Sequence, residues 1–220
     1  MTPVSVSRTL LSYSPNHFGM IKIYGSAQGS AARCIWMLEE LAVPYEQQSL
    51  NFKEKEHKAE WYLKLNPNGK VPTLIDGEFV LWESCAINNY LAEKYRPEML
   101  GTTIEERALV SQWLLWGLNH LQRNIDPVLY FMMFSMGTAE AADQGRADVV
   151  RYFEVLDAHL AGKDFVVGSS FTVADVCLAS IVLTALQCTM ELGAYQNILA
   201  WYEKIKLRPS FSKLMQKIQQ

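Results

Sequence analysis

Two serines lie close together where the chain changes from a strand pattern to a helix pattern. The stretch YGSAQGSAAR, Tyr24 to Arg33, contains Ser26 and Ser30. A hydroxyl at such a turn can hold an anion or help to activate a nucleophile. It can also act only as a turn or cap residue. The residues of this stretch alone leave both roles open for each serine.

A second candidate site is the stretch WESCAI, in which Glu83 and Ser84 stand at another strand-to-helix turn. Serine is a preferred N-cap residue, so a purely structural role explains it well. The same geometry would also suit the α-amino-acid end of a ligand. Free helix N–H groups and the helix dipole favour a carboxylate, and Glu83 could bind the ammonium group beside it.

Two further loops, around Pro72 and around His57 and Lys58, can be explained by ordinary structural roles. Pro72 in NPNGKVPTL stands just before a strand, where a missing N–H is tolerated; a cis Val71–Pro72 bond is the alternative. His57 and Lys58 in EHK are typical of an exposed polar loop.

In FTVADVCLAS, Thr172 and Asp175 form a capping box, which we interpret as structural.

Composition excludes several functional classes. Half of the 220 residues are hydrophobic, the net charge is −3, and no long basic run is present, so neither nucleic acid nor an anionic membrane is an expected partner. No apolar stretch approaches the roughly 20 residues that span a membrane. The spacing of the four cysteines fits no zinc site, and we expect free buried thiols in a reducing compartment. They are Cys34, Cys85, Cys177 and Cys188.

The order of patterns predicts an α/β domain followed by an all-α domain. Strand signals in MIKIY, YEQQSL, VPTLID and EFVLW alternate with helix signals, and Asp76–Gly77 marks a hairpin turn. A strand-helix-strand unit favours parallel pairing, and the hairpin adds antiparallel strands. From Thr103 onward the patterns are helical, with a stop predicted near Pro127 and a buried central helix in TVADVCLASIVLTALQ.

These patterns divide the chain into four segments. Residues 1–19 are expected to form a disordered N-terminal extension, with a weak organellar leader as the alternative. The first domain would span 20–96, a linker with Pro97 and Gly101 would span 97–102, and the helical domain would span 103–220.

Together the motifs resemble the cytosolic glutathione transferases. The stretch EHKAEWYLKLNPNGKVPTLIDGEFVLWESCAINNYL is similar to the phi class and related bacterial enzymes, and FTVAD matches the family's capping element. The similarity covers Met20 to about Gln216. It implies a thioredoxin-like first domain that binds glutathione, a helical second domain that binds an electrophile, and no metal.

The resemblance also assigns roles to individual residues. Glu83 and Ser84 would bind the γ-glutamyl end of glutathione, and the backbone of Val71, before a cis Pro72, would pair with the cysteinyl unit. The glycyl carboxylate would be surrounded by three basic side chains. These charges are complementary to those of glutathione. The three basic residues are His57, Lys58 and Lys70.

The chain departs from the family at the catalytic serine. Gly29 occupies that position, Ser30 follows it, and Ser26 lies three places earlier. A serine there donates a hydrogen bond that favours thiolate over thiol. Lowering a thiol pKa by two units requires about 2.7 kcal/mol of preferential thiolate stabilisation. Ser30 is the first candidate for this role, its alternative being the N-cap of the first helix, and Ser26 is the second.

An apolar second pocket would bind the electrophile. The run LYFMMFSM, residues 129–136, is more often core, but six consecutive apolar side chains cannot all point inward from one helix. The expected function is conjugation of glutathione to a small apolar electrophile by a cytoplasmic homodimer. The residues expected around this pocket are Trp113, Trp116, Tyr130, Phe131 and Met133.

Three other functions remain open. A glutathione-dependent oxidoreductase or peroxidase could use the same fold, but its disulfide-exchanging forms need a cysteine in the first turn, and Cys34 falls inside the helix. A non-catalytic ligand carrier or regulatory module would explain the missing serine. A domain that only mediates assembly would not need the glutathione-binding positions.

Overall fold

The computed structural model describes residues 20–219. The expected extension over 1–19 and the last residue lie outside the described part of the chain. The first half, up to Tyr95, combines four short strands with three helices. In chain order these elements are β1 Ile21–Tyr24, α1 Ser30–Leu41, β2 Tyr45–Gln48, α2 Glu60–Leu65, β3 Thr73–Asp76, β4 Phe79–Trp82 and α3 Ser84–Tyr95.

The four strands form one mixed sheet in the order β2-β1-β3-β4. β1 and β2 pair in parallel, whereas β1–β3 and β3–β4 are antiparallel. The crossover through α1 provides the parallel pair, as the sequence predicts. The predicted hairpin is also present, but its turn is Gly77–Glu78, one residue later than predicted, because Asp76 still belongs to β3. This is the mixed sheet of a thioredoxin-like domain, so the predicted fold class of the first half is confirmed.

The second half consists of helices. A 3₁₀ turn, Pro97–Leu100, lies in the expected linker and precedes them. The helix Ile104–Trp116 continues through a π-helical turn, Gly117–Gln122, directly into the helix Arg123–Phe134. The helices are α4 Ile104–Trp116, α5 Arg123–Phe134, α6 Ala139–Leu160, α7 Val173–Gln187, α8 Gln196–Lys206 and α9 Pro209–Ile218.

The predicted stop near Pro127 is wrong. Pro127 lies inside α5, which continues to Phe134. A proline lacks the N–H that the helix would use and usually kinks or breaks it. Here the helix is already irregular immediately before, in the π-helical turn, and both features belong to one irregular region of a continuous helix.

Helix α7 is the centre of the helical half, and 13 of its residues are buried. Its start is fixed by the predicted capping box, because Thr172 and Asp175 each bond to the other's backbone N–H. The buried carboxylate of Asp175 also accepts hydrogen bonds from the Val166 N–H at 2.8 Å and the Trp201 indole N–H at 3.0 Å. Asp175 therefore joins α7 to α8 and to the preceding loop.

The two halves are joined by contacts around Glu40, near the end of α1. Its carboxylate accepts hydrogen bonds from Arg208 Nε at 3.0 Å and Ser210 Oγ at 2.5 Å, and pairs with Arg96 at 3.2 Å. Trp36 on the same helix donates to Ser210 Oγ at 3.0 Å. These contacts fix α1 against α9, and so fix the sheet domain against the helical half.

Candidate functional site

The turn before α1 places Ser30 and Ser26 differently. Gly29 is the N-cap residue, with φ 60° and ψ −145°, a conformation that favours glycine. Ser30 is therefore the first residue of the helix, and its alternative role as the N-cap is not observed. Its hydroxyl donates to the carbonyl oxygen of Val71 at 3.1 Å. Ser26 is exposed in the loop behind it.

Val71 precedes a cis peptide bond to Pro72, as the resemblance implies. The segment before it is held by a buried polar network. The carbonyl of Lys70 accepts hydrogen bonds from the Tyr62 hydroxyl at 2.7 Å and from Asn66 Nδ2 at 2.8 Å. This network fixes the backbone of Val71 next to Ser30.

The turn from β4 into α3 has an unusual backbone. Glu83 adopts φ 73° and ψ 113°, a region that non-glycine residues rarely occupy. It is the N-cap residue of α3, but no side-chain cap hydrogen bond is formed. Buried Ser84 is the first residue of the helix, so the purely structural N-cap role, one of its two alternatives, is not the one observed. Backbone conformations of this kind are concentrated at ligand-binding sites, and Glu83 leaves its exposed carboxylate beside free helix N–H groups.

The loop that carries His57 and Lys58 packs against the segment before Val71. It forms a 3₁₀ turn, Glu56–Lys58, and Lys58 Nζ donates to the carbonyl of Asn68 at 3.0 Å. Gly69 makes the approach possible, since a Cβ there would lie 2.7 Å from the His57 carbonyl oxygen. Burial, with the charges of Lys58 and Lys55, lowers the pKa of His57.

The three predicted basic side chains thus lie on adjacent loops. Lys58 and Lys70 are exposed, and His57 is half-buried with its ring stacked on Phe52 at 4.5 Å between centroids. Exposed cations near a mobile anionic ligand act chiefly by charge. The arrangement can attract a carboxylate at this end of the site.

A polar chain across the two domains was missed by the sequence interpretation. The Arg33 guanidinium donates to Gln122, whose amide donates to Asp126. Burial raises the pKa of Asp126, while Gln122 and the charges of Arg33 and Lys70 oppose the rise. Tyr130 follows on the same face of α5, where partial burial and the charge of Asp126 raise its pKa. Gln122, Asp126 and Tyr130 are spaced four residues apart, which places them on one helical face. This spacing was the sequence signal that could have identified them.

The residues expected around the electrophile are separated by the structure. Trp113 is buried and packs on His159 at 4.1 Å between ring centroids, and Trp116 stacks edge-on with Trp113 at 4.9 Å. Their rings lie within the helical packing beside α6. Tyr130, Phe131 and Met133 instead lie exposed near the end of α5, beyond Asp126.

Among the described residues, no cluster of His, Cys, Asp and Glu side chains could hold a metal ion. None of the described helices is long and apolar enough to span a membrane.

Comparison with known families accounts for both halves of the chain. Residues 20–93 match the glutathione S-transferase N-terminal domain, and residues 123–209 match the C-terminal domain. The first match contains the sheet and most of α3. The second contains the helices from α5 to the start of α9.

Individual relatives agree with these matches. The chain is 33% identical to the probable glutathione S-transferase GSTF2 of Oryza sativa subsp. japonica, over 88% of this chain and 95% of that protein. It is 32% identical to glutathione S-transferase 1 of Zea mays, with the same coverage. The structure of maize glutathione S-transferase I in complex with an atrazine glutathione conjugate superposes with a TM-score of 0.83, at 31% identity, covering 91% of this chain and 99% of that one. The chain belongs to the glutathione S-transferase family.

Proposed function

We propose that this protein is a glutathione transferase that conjugates the glutathione thiolate to a small apolar electrophile. The main observation in support of the proposal is the hydrogen bond from the Ser30 hydroxyl to the Val71 carbonyl. A hydroxyl at the start of α1 lies 3.1 Å from the carbonyl next to the cis-proline, in the sheet domain that the family uses for glutathione. A thiol bound along Val71 would be within reach of that hydroxyl.

Glutathione would lie across three elements. Its γ-glutamyl carboxylate would be bound by Ser84 and the free N–H groups of α3, and its ammonium group by Glu83. The cysteinyl unit would pair with the backbone of Val71. The glycyl carboxylate would face His57, Lys58 and Lys70, whose loops are packed together around Gly69.

The thiol would be activated by Ser30. The cysteinyl N–H can donate to the Val71 carbonyl, and the Ser30 hydroxyl can then turn from that carbonyl toward the sulfur. A hydrogen bond to the charged sulfur is stronger than one to the neutral thiol, so it favours ionisation. The thiolate would attack the electrophilic carbon, and a leaving group such as chloride would depart with the bonding electron pair.

The electrophile would lie beside the exposed end of α5. Tyr130, Phe131 and Met133 supply apolar and polarizable surface there, next to the glutathione loops through Asp126 and Lys70. Trp113 and Trp116 would support the helical packing instead, because their rings contact each other and α6.

The disulfide-exchanging oxidoreductase is disfavoured by Cys34. Its thiol is fully buried in α1 and donates to the carbonyl of Ser84 at 3.4 Å. Burial raises its pKa, whereas a reactive thiol needs a lowered one.

We further propose a cytoplasmic homodimer that detoxifies electrophiles, as is typical of the family. The four free cysteines suit a reducing compartment.

The test combines binding with turnover. Thermal-shift titrations with glutathione and S-hexylglutathione should both raise the melting temperature, and a chlorodinitrobenzene assay should show enzyme-dependent conjugation. Binding without turnover would indicate a non-catalytic carrier. Absence of both would reject the proposal.

A further inference from the structure

Three of the four cysteine thiols lie close to the buried guanidinium of Arg33, between the two domains. Cys34 follows Arg33 in α1, Cys85 is the second residue of α3, and Cys177 lies in α7. The Cys85 and Cys177 sulfur atoms are 3.8 Å apart, and Arg33 Nη1 lies 4.0 Å from the Cys85 sulfur. The cluster lies directly behind Glu83 and Ser84, but none of its thiols has a role in the proposed conjugation.

The Arg33 guanidinium has an incomplete set of partners. It is only 1% exposed, and its Nε has no hydrogen-bond partner in the described structure. Within residues 20–219 it forms no direct ion pair with a carboxylate; Asp126 is connected to it only through Gln122. A buried cation without a direct counter-ion is costly. A thiolate at Cys85 would supply the missing negative charge.

The surroundings distinguish Cys85 from Cys177. The hydrogen bond between the Cys85 and Cys177 thiols and the charge of Arg33 lower the pKa of Cys85 despite its burial. Burial raises the pKa of Cys177, whose sulfur also accepts a hydrogen bond from Asn88 Nδ2 at 3.5 Å. Cys85 is also partly accessible, whereas Cys177 is buried. Such an arrangement pairs an attacking thiolate with a resolving thiol.

We propose that Cys85 and Cys177 are an oxidation-sensitive thiol pair that closes to a disulfide between the two domains. With hydrogen peroxide as oxidant, the Cys85 thiolate attacks one peroxide oxygen, the O–O bond breaks, and hydroxide leaves. The Cys177 thiol then attacks the sulfur of the resulting sulfenic acid. An S–S bond forms, the S–O bond breaks, and water leaves with the Cys177 proton.

The remaining cysteines provide internal controls. Cys34 has its thiol hydrogen-bonded to the Ser84 carbonyl and is fully buried. Cys188 lies after the end of α7, is buried, and has a pKa raised by burial. The pair therefore predicts selective oxidation of two thiols among the four in the chain.

The experiment treats the reduced full-length protein with hydrogen peroxide in the absence of glutathione. Free thiols are counted under denaturing conditions, and disulfide-linked peptides are mapped by mass spectrometry. Two thiols should be lost from the monomer, with a Cys85–Cys177 linked peptide that dithiothreitol removes. The melting temperature should rise on oxidation, because a cross-link over 92 residues of separation restricts the unfolded chain.

The variants decide the assignment. Cys85→Ser and Cys177→Ser should each abolish the linked peptide, and Cys177→Ser should stop at an oxidised Cys85. Cys34→Ser and Cys188→Ser should retain the link. Retention of all four thiols, or a link between any other pair, would overturn the proposal. Because no step uses glutathione, either result leaves the transferase proposal to its own test.

Discussion

The hydroxyl of Ser30 donates a hydrogen bond to the carbonyl of Val71 across a separation of 3.1 Å. Ser30 begins α1, and Val71 precedes the cis-proline of the neighbouring loop. This contact places a hydrogen-bond donor beside the backbone expected to pair with the cysteinyl unit of glutathione. It also gives Ser30 a role that the N-cap interpretation did not include.

Replacing Ser30 with alanine should reduce turnover more than binding. A hydrogen bond to a charged group contributes about 1.5–3 kcal/mol, so kcat at neutral pH should fall roughly 10- to 160-fold. The dissociation constant of glutathione should change little. Steady-state kinetics with chlorodinitrobenzene measures the first quantity, and calorimetry measures the second.

Ser26→Ala is the matched control for this prediction. Ser26 is exposed in the preceding loop, so its loss should have a smaller effect on kcat. A larger effect of Ser26→Ala would contradict the assignment to Ser30 and would identify Ser26 as the activating serine. Equal, negligible effects would leave activation to the backbone N–H groups of the turn.

Loss of either polar group at the start of α3 should weaken glutathione binding. Glu83→Gln removes the negative charge expected to face the ammonium group, and Ser84→Ala removes a hydroxyl expected to face the carboxylate. Each should cost about 1–3 kcal/mol of binding free energy. Calorimetric titration with glutathione is the measurement, and unchanged affinity in both variants would reject this part of the site.

Gly69→Ala should disturb both stability and the basic end of the site. Gly69 has φ 57°, and an added Cβ would lie 2.7 Å from the His57 carbonyl oxygen and from Lys58 Nζ. The substitution should cost about 1–3 kcal/mol of unfolding free energy, because it adds backbone strain and displaces the loop. Denaturant unfolding and glutathione titration should therefore change together.

Gly77→Ala is a control for the backbone effect alone. Gly77 has φ 63° in the β3–β4 turn, and a Cβ there would meet no atom within 4 Å. It should lower stability while leaving glutathione affinity near that of the wild type. Equal affinity losses in the two variants would contradict the assigned role of the His57 loop.

Glu40→Gln should destabilise the joint between the domains. Burial tends to raise the pKa of Glu40, but the hydrogen bonds from Arg208 and Ser210 lower it overall. The expected loss is about 2 kcal/mol at neutral pH, below the value for a fully buried pair since both arginines are partly exposed. Chemical denaturation of both proteins gives this difference directly.

The pH dependence of that difference follows from the direction of the shift. A carboxylate with a lowered folded-state pKa stabilises the fold fully above its unfolded pKa, about 4.3. The contribution is lost as the pH falls through the lower folded-state value. The wild type and Glu40→Gln should therefore converge in stability in acid. A difference that grows as the pH falls would contradict the assignment.

Local sequence patterns were sufficient for the elements with strong local causes. The hairpin turn, the capping box of Thr172 and Asp175 and the buried central helix all depend on residues close in sequence. The N-cap alternatives considered for Ser30 and Ser84 lie one residue after the observed N-caps, Gly29 and Glu83. In both cases the cap position requires a positive φ, which Gly29 and Glu83 adopt, and side-chain preference alone does not reveal it.

The rest of the site depends on contacts distant in sequence. Arg33 and Gln122 are 89 residues apart, so their hydrogen bond arises only from domain packing. The orientation of Trp113 and Trp116 is equally a matter of packing, because either face of α4 could hold aromatic rings. The helix stop at Pro127 failed because a local proline rule was applied to a helix already made irregular by the preceding π turn.

The most direct test of glutathione activation is the ultraviolet absorbance of the thiolate in the wild-type complex, followed against pH. The bound thiol should ionise about two pH units below free glutathione, since Ser30 and the start of α1 favour the charged sulfur. A bound thiol that ionises at the same pH as free glutathione would contradict the account.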